Sequence, residues 1–329
     1  MPLDPETGGN NIGRDCLKQE VSNTTTVTEF LLLGFSDLFE LRVLYFLLFL
    51  LIYLIALAGN LLLILIVAVD SHLHTPMYLF LANLSILDIF FISVIIPKAM
   101  NTSLTQTRSI SFSGCMSQIF LGITFASAEL ALLTIMAYDR YIAICYPLKY
   151  HMIMNKIKCV SMIAACWIIS TVYAALHTMN ISSLPFCGPN NVDQFFCDIP
   201  KVLKLVCADT FGNETAIFVC GIVFGLIICS SVIGSYVHIF SAVQKIPTSH
   251  GRYKVFSTCL PHLTVFSLFL FTGMFTYMKR SSESTLFKEL LAALLYFVVS
   301  PIANPVIYSL RNKEIRNALG KFMNKVIFN

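Results

Sequence analysis

Seven long apolar stretches limit what this chain can fold into more than any other feature: Val43 to Val69, Thr75 to Pro97, Ser109 to Tyr138, Cys159 to Met179, Thr215 to Val243, Val255 to Met278 and Leu290 to Leu310. A helix crosses the hydrocarbon core with roughly 20 residues, and every stretch supplies at least that many. Inside lipid the backbone must satisfy its own hydrogen bonds, which leaves the helix as the natural solution for segments of this length. Only 12% of the 329 residues are charged, about half the share of an average soluble protein. The expected fold is therefore an all-α membrane protein, a seven-transmembrane helix bundle. Connections are short except for Asn180 to Glu214, so no second folded domain fits. The expected layout is a tail over residues 1–40, a bundle over 41–310, and a short amphipathic helix and tail over 311–329.

Met1 to Glu40 begins polar and shows no small-residue cleavage site after an apolar core, so the first helix is expected to act as the targeting signal. Met1 to Ser22, rich in Gly, Asn and Asp, reads as disordered. With the N-terminus outside, twelve of the 22 Lys and Arg residues fall on cytosolic segments, a slight positive-inside bias. The sequon Asn23-Thr24-Thr25 precedes the first helix, and further sequons at Asn101, Asn180 and Asn213 fall on the same outer side. The expected location is the plasma membrane, multi-pass, with an extracellular N-terminus glycosylated at Asn23.

Charge inside so apolar a chain marks function. Asp88 stands among apolar residues of the second stretch and Glu129 alone interrupts the third, where a charge costs at least ~2.5 kcal/mol. At 1.5 Å per residue, Asp88 lies about 18 Å from Pro76 and Glu129 about 16 Å from Arg140, so the two carboxyls share a depth. Asn60 is reckoned close to that level and Asn304 lower. Such a pair would share a proton or bind a cation such as sodium through oxygen ligands; the plainer reading is a hydrogen-bonded network that fixes packing. No other cofactor is expected.

The third stretch closes on Asp139-Arg140-Tyr141, where an adjacent acid can hold the arginine until a change in helix packing releases it. In the sixth stretch Pro261 can kink the helix and His262 reads as a packing or hydrogen-bonding group. The seventh ends in Asn304-Pro305, which breaks the backbone ladder one turn above Tyr308. Beyond it Ile315, Leu319, Phe322 and Val326 recur at helical spacing opposite basic residues, an amphipathic helix lying on the inner leaflet. On the outer side Cys115, Cys187, Cys197 and Cys207 allow three pairings, and two bridges would make the long loop a lid.

Together these motifs resemble the rhodopsin-like G-protein-coupled receptors and, within them, the olfactory receptors. The resemblance runs from about Thr25 to Lys325 and rests on TEFLLLGFSD, Gly59-Asn60, LHTPMYLFLANLSILD, MAYDRYIAICYPL, the loop cysteines, Ser235-Tyr236, KVFSTCLPHL and PIANPVIYSLRNKEI. It implies an odorant-gated receptor that activates a stimulatory, olfactory-type G protein and raises cyclic AMP. It also implies the bridges Cys115–Cys197 and Cys187–Cys207, an inner cation or proton site at Asp88 and Glu129, and a switch at Asp139-Arg140-Tyr141 with Tyr236 and Tyr308 as its active-state partners. Two positions depart from the pattern: Pro261 replaces a small residue before His262, and Leu270 stands where a tyrosine is expected.

The ligand site is expected in the outer half of the bundle. Gly122, Ile123, Ala126 and Ser127 lie above Glu129 on the third helix, with Cys220 and Phe224 of the fifth and Gly273 and Tyr277 of the sixth at similar depth. None is charged, so the expected ligand is a small, neutral, largely apolar volatile, with Ser127 or Tyr277 giving one directional hydrogen bond. Its other partners are a heterotrimeric G protein and the bilayer, with no nucleic acid. An amine receptor would want an acid near position 122, and a retinal pigment a lysine within Leu290 to Leu310; neither is present. A transporter would show inverted repeats, and none is visible. No nucleophile, base and orienting residue assemble at one level, so enzyme activity is not expected.

Overall fold

A computed structural model of the chain describes residues 27–187, 189–207, 211–278 and 286–327. The described residues form eight long helices: α1 (Phe39–Val69), α2 (Pro76–Thr105), α3 (Phe112–Cys145), α4 (Lys156–Ser182), α5 (Phe211–Gln244), α6 (Ser249–Met278), α7 (Leu286–Arg311) and α8 (Lys313–Ile327). Among the described residues, α1 to α6 are each long and apolar enough to cross a membrane, and α7 joins them when taken with α8, to which it is bent by 89°. Each apolar stretch falls within a helix that extends beyond it at one or both ends, apart from the starts of the second and third, and three of the differences bear on the site. Pro97 does not end α2, which continues to Thr105, since a membrane helix tolerates proline where neighbours satisfy the freed groups. The third helix begins at Phe112 rather than Ser109, because Ser109–Ser111 pairs as a strand before Ser111 caps the helix through the Gly114 N–H at 3.1 Å. Its other end runs past Tyr138 to Cys145, so Asp139, Arg140 and Tyr141 sit on the final helical turns.

The outer end carries a small sheet in the order β2-β1-β3. Glu29–Leu32 (β1) pairs antiparallel with Ser109–Ser111 (β2) and parallel with Asn191–Val192 (β3). Of the three strands, β1 belongs to the 1–40 segment expected to be a largely disordered tail. Its alternation explains the difference: Phe30 and Leu32 point inward and are buried while Glu29 and Leu31 stay exposed, the period of a half-buried strand. The sequon at Asn23 and all of Met1 to Ser22 lie outside the described residues.

Helix α3 is the axis of the bundle and packs against α2, α4, α5 and α6. At the inner end Ile315 and Ala318 of α8 are buried while Lys313 and Arg316 face outward, the amphipathic arrangement expected from the spacing. Asn312 caps α8 by accepting the Glu314 N–H at 2.9 Å, and the Tyr78 hydroxyl donates to Glu314 at 3.2 Å, which fixes α8 against the start of α2.

Gly59-Asn60 is explained by the prolines of α7. The Pro301 carbonyl would normally accept the N–H of residue 305, but that residue is proline and has none. Asn60 Nδ2 donates to this stranded carbonyl at 2.8 Å, and a Cβ on Gly59 would come within 3.1 Å of the Pro305 ring. The glycine lets α1 approach and the asparagine supplies the missing donor. Asn60→Ala should therefore cost about 1 to 3 kcal/mol, read as a lowered Tm of the detergent-solubilised receptor. An unchanged Tm would mean that the carbonyl finds another donor.

Candidate functional site

Three polar features are stacked along α3. The outermost is a cavity of about 250 Å³. Gly122, Ile123, Ala126 and Ser127 of α3 and Phe224 of α5 line it, as the spacing predicts. Cys220 does not: it is exposed, and its neighbour Gly221 faces the cavity instead, one residue being a turn of about 100° on a helix. Gly273 is not on the wall either. A Cβ there would lie 3.4 Å from the Tyr296 ring, so this glycine serves the packing of α6 on α7, and the wall is made by Phe269 and Tyr296. The side chain of Tyr277 lies outside the described residues. The Ser127 hydroxyl donates back to the Ile123 carbonyl at 2.6 Å, so its proton is spent within α3 and only its lone pairs face inward.

The long loop closes this cavity. Cys115 is bridged to Cys197 and Cys187 to Cys207, with Cα–Cα separations of 5.4 and 5.2 Å. Gln118 reinforces the first bridge, accepting the Cys197 N–H at 3.0 Å while donating to the Val94 carbonyl of α2 at 3.1 Å. Phe196 packs edge-on against Phe297 of α7 at 4.5 Å, and Phe195 sits between Phe35 and Phe49. The loop is thus plugged into the bundle by two adjacent aromatic rings rather than laid over it.

Sequence reasoning missed Asp198, which follows the bridged Cys197 and contributes to the cavity wall while buried at 6% exposure. Its signal was available: once Cys197 is tied to the first turn of α3, the next residue has to lie over the mouth of the bundle. Tyr173 of α4 was also missed; it lines the cavity with its hydroxyl against Gly221.

One layer deeper, Asp88 and Glu129 are both buried and meet at one amide. Asn304 Nδ2 lies 3.1 and 2.9 Å from the two Asp88 oxygens and 3.3 Å from Glu129 Oε1, while the Ser300 hydroxyl donates to the same Glu129 oxygen. The carboxyls therefore share a depth, but Asn304 stands at their level, not below it. A straight count down α7 ignores Pro301 and Pro305, which interrupt its ladder. Glu129 Oε2, Asn60 Oδ1 and Asn304 Oδ1 are buried without a hydrogen-bond partner among the described residues. Oxygens left over around two acids suit a hard cation or a shared proton, since either supplies the positive partner the donors do not.

At the inner end Arg140 is paired with Asp139 at 3.1 Å. The second Asp139 oxygen accepts the Tyr150 hydroxyl at 2.8 Å; burial and the Asp139 charge push that phenol's pKa up, so it stays a donor. The tautomer of His262 follows from its neighbours. Its Nε2 is 2.8 Å from the Leu133 carbonyl, which can only accept, so Nε2 carries the proton and Nδ1 accepts from the Tyr236 hydroxyl at 2.8 Å. This chain of bonds ties α3, α5 and α6 together through side chains. Tyr236 is thus engaged with His262, and the buried Tyr308 hydroxyl has no hydrogen-bond partner among the described residues. Pro261 is accommodated inside an uninterrupted α6, and Leu270 packs against the core.

Comparison with known proteins agrees with this geometry. A family model described as "Olfactory receptor" matches residues 49–325. The human olfactory receptor 14A16 is 48% identical over 300 residues, covering 91% of this chain and 97% of the relative. The gorilla olfactory receptor 1G1 is 45% identical, covering 92% and 97%. Among solved structures, squid rhodopsin superposes with a TM-score of 0.70 at 17% identity, covering 89% of this chain and 88% of that one, a likeness of fold.

Proposed function

Because the chain belongs to the olfactory receptor family, whose members are membrane signalling receptors and not enzymes, we propose that a small, largely apolar odorant entering the cavity beneath the loop activates a stimulatory, olfactory-type G protein and raises cyclic AMP. The observation that carries this reading is the stacking of cavity, carboxylate pair and Asp139–Arg140 switch along one helix, α3, which supplies Glu129 while Asp88 comes from α2. A ligand pressing on the outer turns of α3 acts on the same rigid element that holds Arg140 at the other end. In the described conformation Arg140 is held by Asp139 and the Tyr236 hydroxyl by His262. Activation on this reading exchanges those bonds for contacts among Arg140, Tyr236 and Tyr308, and the unpartnered Tyr308 hydroxyl is the group waiting for such an exchange.

The N-terminus faces outward on this reading, which accords with two disulfides gathered at the β1 end of the bundle, where an oxidising medium sustains them. A sodium ion, if bound, would be held by the oxygens of Asp88 and Glu129, and its single positive charge would offset one of the two carboxylates. Asn304, donating to both acids, couples α2 and α3 to the proline-bearing part of α7.

The test is cyclic AMP accumulation in cells displaying the chain, with a panel of small odorants and a Gly122→Leu variant. Nothing lies within 4 Å of a Cβ placed on Gly122, so a larger side chain there fits without clash and takes up cavity space. The expected result is a saturable response whose half-maximal concentration rises tenfold or more in the variant, which is about 1.4 kcal/mol of lost binding. An unchanged dose response at equal surface density would place the ligand elsewhere.

A further inference from the structure

The polar groups of the cavity are biased toward accepting hydrogen bonds. Ser127 has committed its proton to the Ile123 carbonyl. Gln118 has committed both ends of its amide, to Cys197 and to Val94. The Tyr173 hydroxyl can act in either sense. Among the described residues Asp198 is the one charged side chain on the wall. It is buried, its carboxyl takes the Ile199 backbone N–H and feels the charge of Lys201, and among the described residues no side-chain hydrogen bond or ion pair reaches it.

Building on the receptor reading, we infer that Asp198 is the polar anchor of this pocket and that it selects small apolar ligands carrying a hydrogen-bond donor, such as a hydroxyl, over donorless molecules of the same size and shape. Apolar rings and aliphatic groups line the rest of the wall: Ile119, Ile123, Leu130, Phe224, Phe269 and Phe297. A carboxylate set into such a surface lacks the donors that water would give it, and a ligand hydroxyl restores one. Burial raises its pKa to about 6, against the pull of Lys201 and the Ile199 N–H, so near neutrality it is chiefly the ionised, acceptor-only form. An ether or ketone arriving there brings a second acceptor against the first and leaves the carboxylate unpaired. The position within the lid matters as well. Asp198 follows the cysteine bridged to α3 and starts the short helical turn Ile199–Val202, so its backbone is pinned on both sides and the carboxyl is held at the mouth of the cavity.

The experiment is ligand binding to the purified full-length receptor, with octanol compared with its isomer dibutyl ether and with methyl hexyl ketone, in the parent, Asp198→Ala and Asp198→Asn. Octanol should bind the parent at least about tenfold more tightly than either donorless compound, as expected for a hydrogen bond to a buried charge. Asp198→Ala should shrink that advantage to about threefold or less, with the ether and ketone little changed, and Asp198→Asn, which keeps the shape and one accepting oxygen, should fall between. If Asp198→Ala does not fold, the partial loss in Asp198→Asn decides. No octanol binding to the parent, equal binding of alcohol and ether, or a preference undiminished in Asp198→Asn would each overturn the assignment. Cyclic AMP is read in parallel: donor preference in binding without a signal faults the receptor reading alone, and a signal without donor preference faults the Asp198 assignment alone.

Discussion

Arg140→Ala should abolish the odorant-evoked rise in cyclic AMP while leaving ligand binding within about threefold of the parent, an energy difference under 1 kcal/mol. The two readouts separate because the cavity and Arg140 lie at opposite ends of α3, with the Asp88–Glu129 layer between them. In the described state the guanidinium is held by a carboxylate that is itself fixed by the Tyr150 hydroxyl, so the arginine is stored against the end of its own helix. Removing it leaves Asp139 with Tyr150 as a donor, which keeps the buried acid from being stranded. The fold should therefore survive, and equal surface density of the variant is part of the expected result. A surfaced variant with an undiminished cyclic AMP response would show that coupling does not pass through Arg140. Loss of ligand binding along with the signal would show that the arginine is structural and that its placement in a switch is mistaken.

The sequence made some of this geometry legible because helical rise is regular and lipid forbids alternatives. The seven apolar stretches mark the seven helices, and Asp88 and Glu129 meet where a count of residues places them. The same count misplaces Asn304, since α7 carries one proline above and one below the level being reckoned and the ladder that a regular rise assumes is interrupted there. It turns Cys220 toward the wall where Gly221 belongs, because a one-residue error on a helix is a quarter of a turn and side-chain direction depends on packing. The lid was least legible. Which residues of a long loop enter a bundle depends on the bridge that anchors it, and Phe195, Phe196 and Asp198 come inside because Cys197 is tied to α3. Sequence spacing assigns no depth to a loop, so none of its acids was placed on the wall and the pocket read as uncharged. Glu29–Leu32 fell into the tail for a related reason: four alternating residues become a strand only when β2 and β3 are there to flank them.

The two disulfides should differ sharply in what their loss does. Chain entropy alone gives a modest contrast: by loop length, closing 82 residues is worth about 4.5 kcal/mol and closing 20 about 3.3. In a bilayer the contrast from entropy is smaller still, because α3 and α4 already hold the ends of the longer loop before the bridge forms. What separates the bridges is their position. Cys187–Cys207 joins two loop segments at the Phe186–Val206 pairing, and the loop keeps its other anchor without it. Cys115–Cys197 is the covalent link between loop and bundle, and it holds Phe196 on Phe297 and Asp198 on the cavity wall. Cys197→Ser should accordingly remove ligand binding altogether and lower the Tm well beyond the fall seen in Cys187→Ser, which should retain a weakened cavity. The measurement is thermal unfolding and ligand binding of both variants at matched pH. Equal losses would mean that the loop folds as one unit, so that either bridge carries the lid and the aromatic plug adds little of its own. A milder effect at Cys197 would assign the seating of the loop to Phe195, Phe196 and Gln118, with the bridge only securing what their burial had already placed.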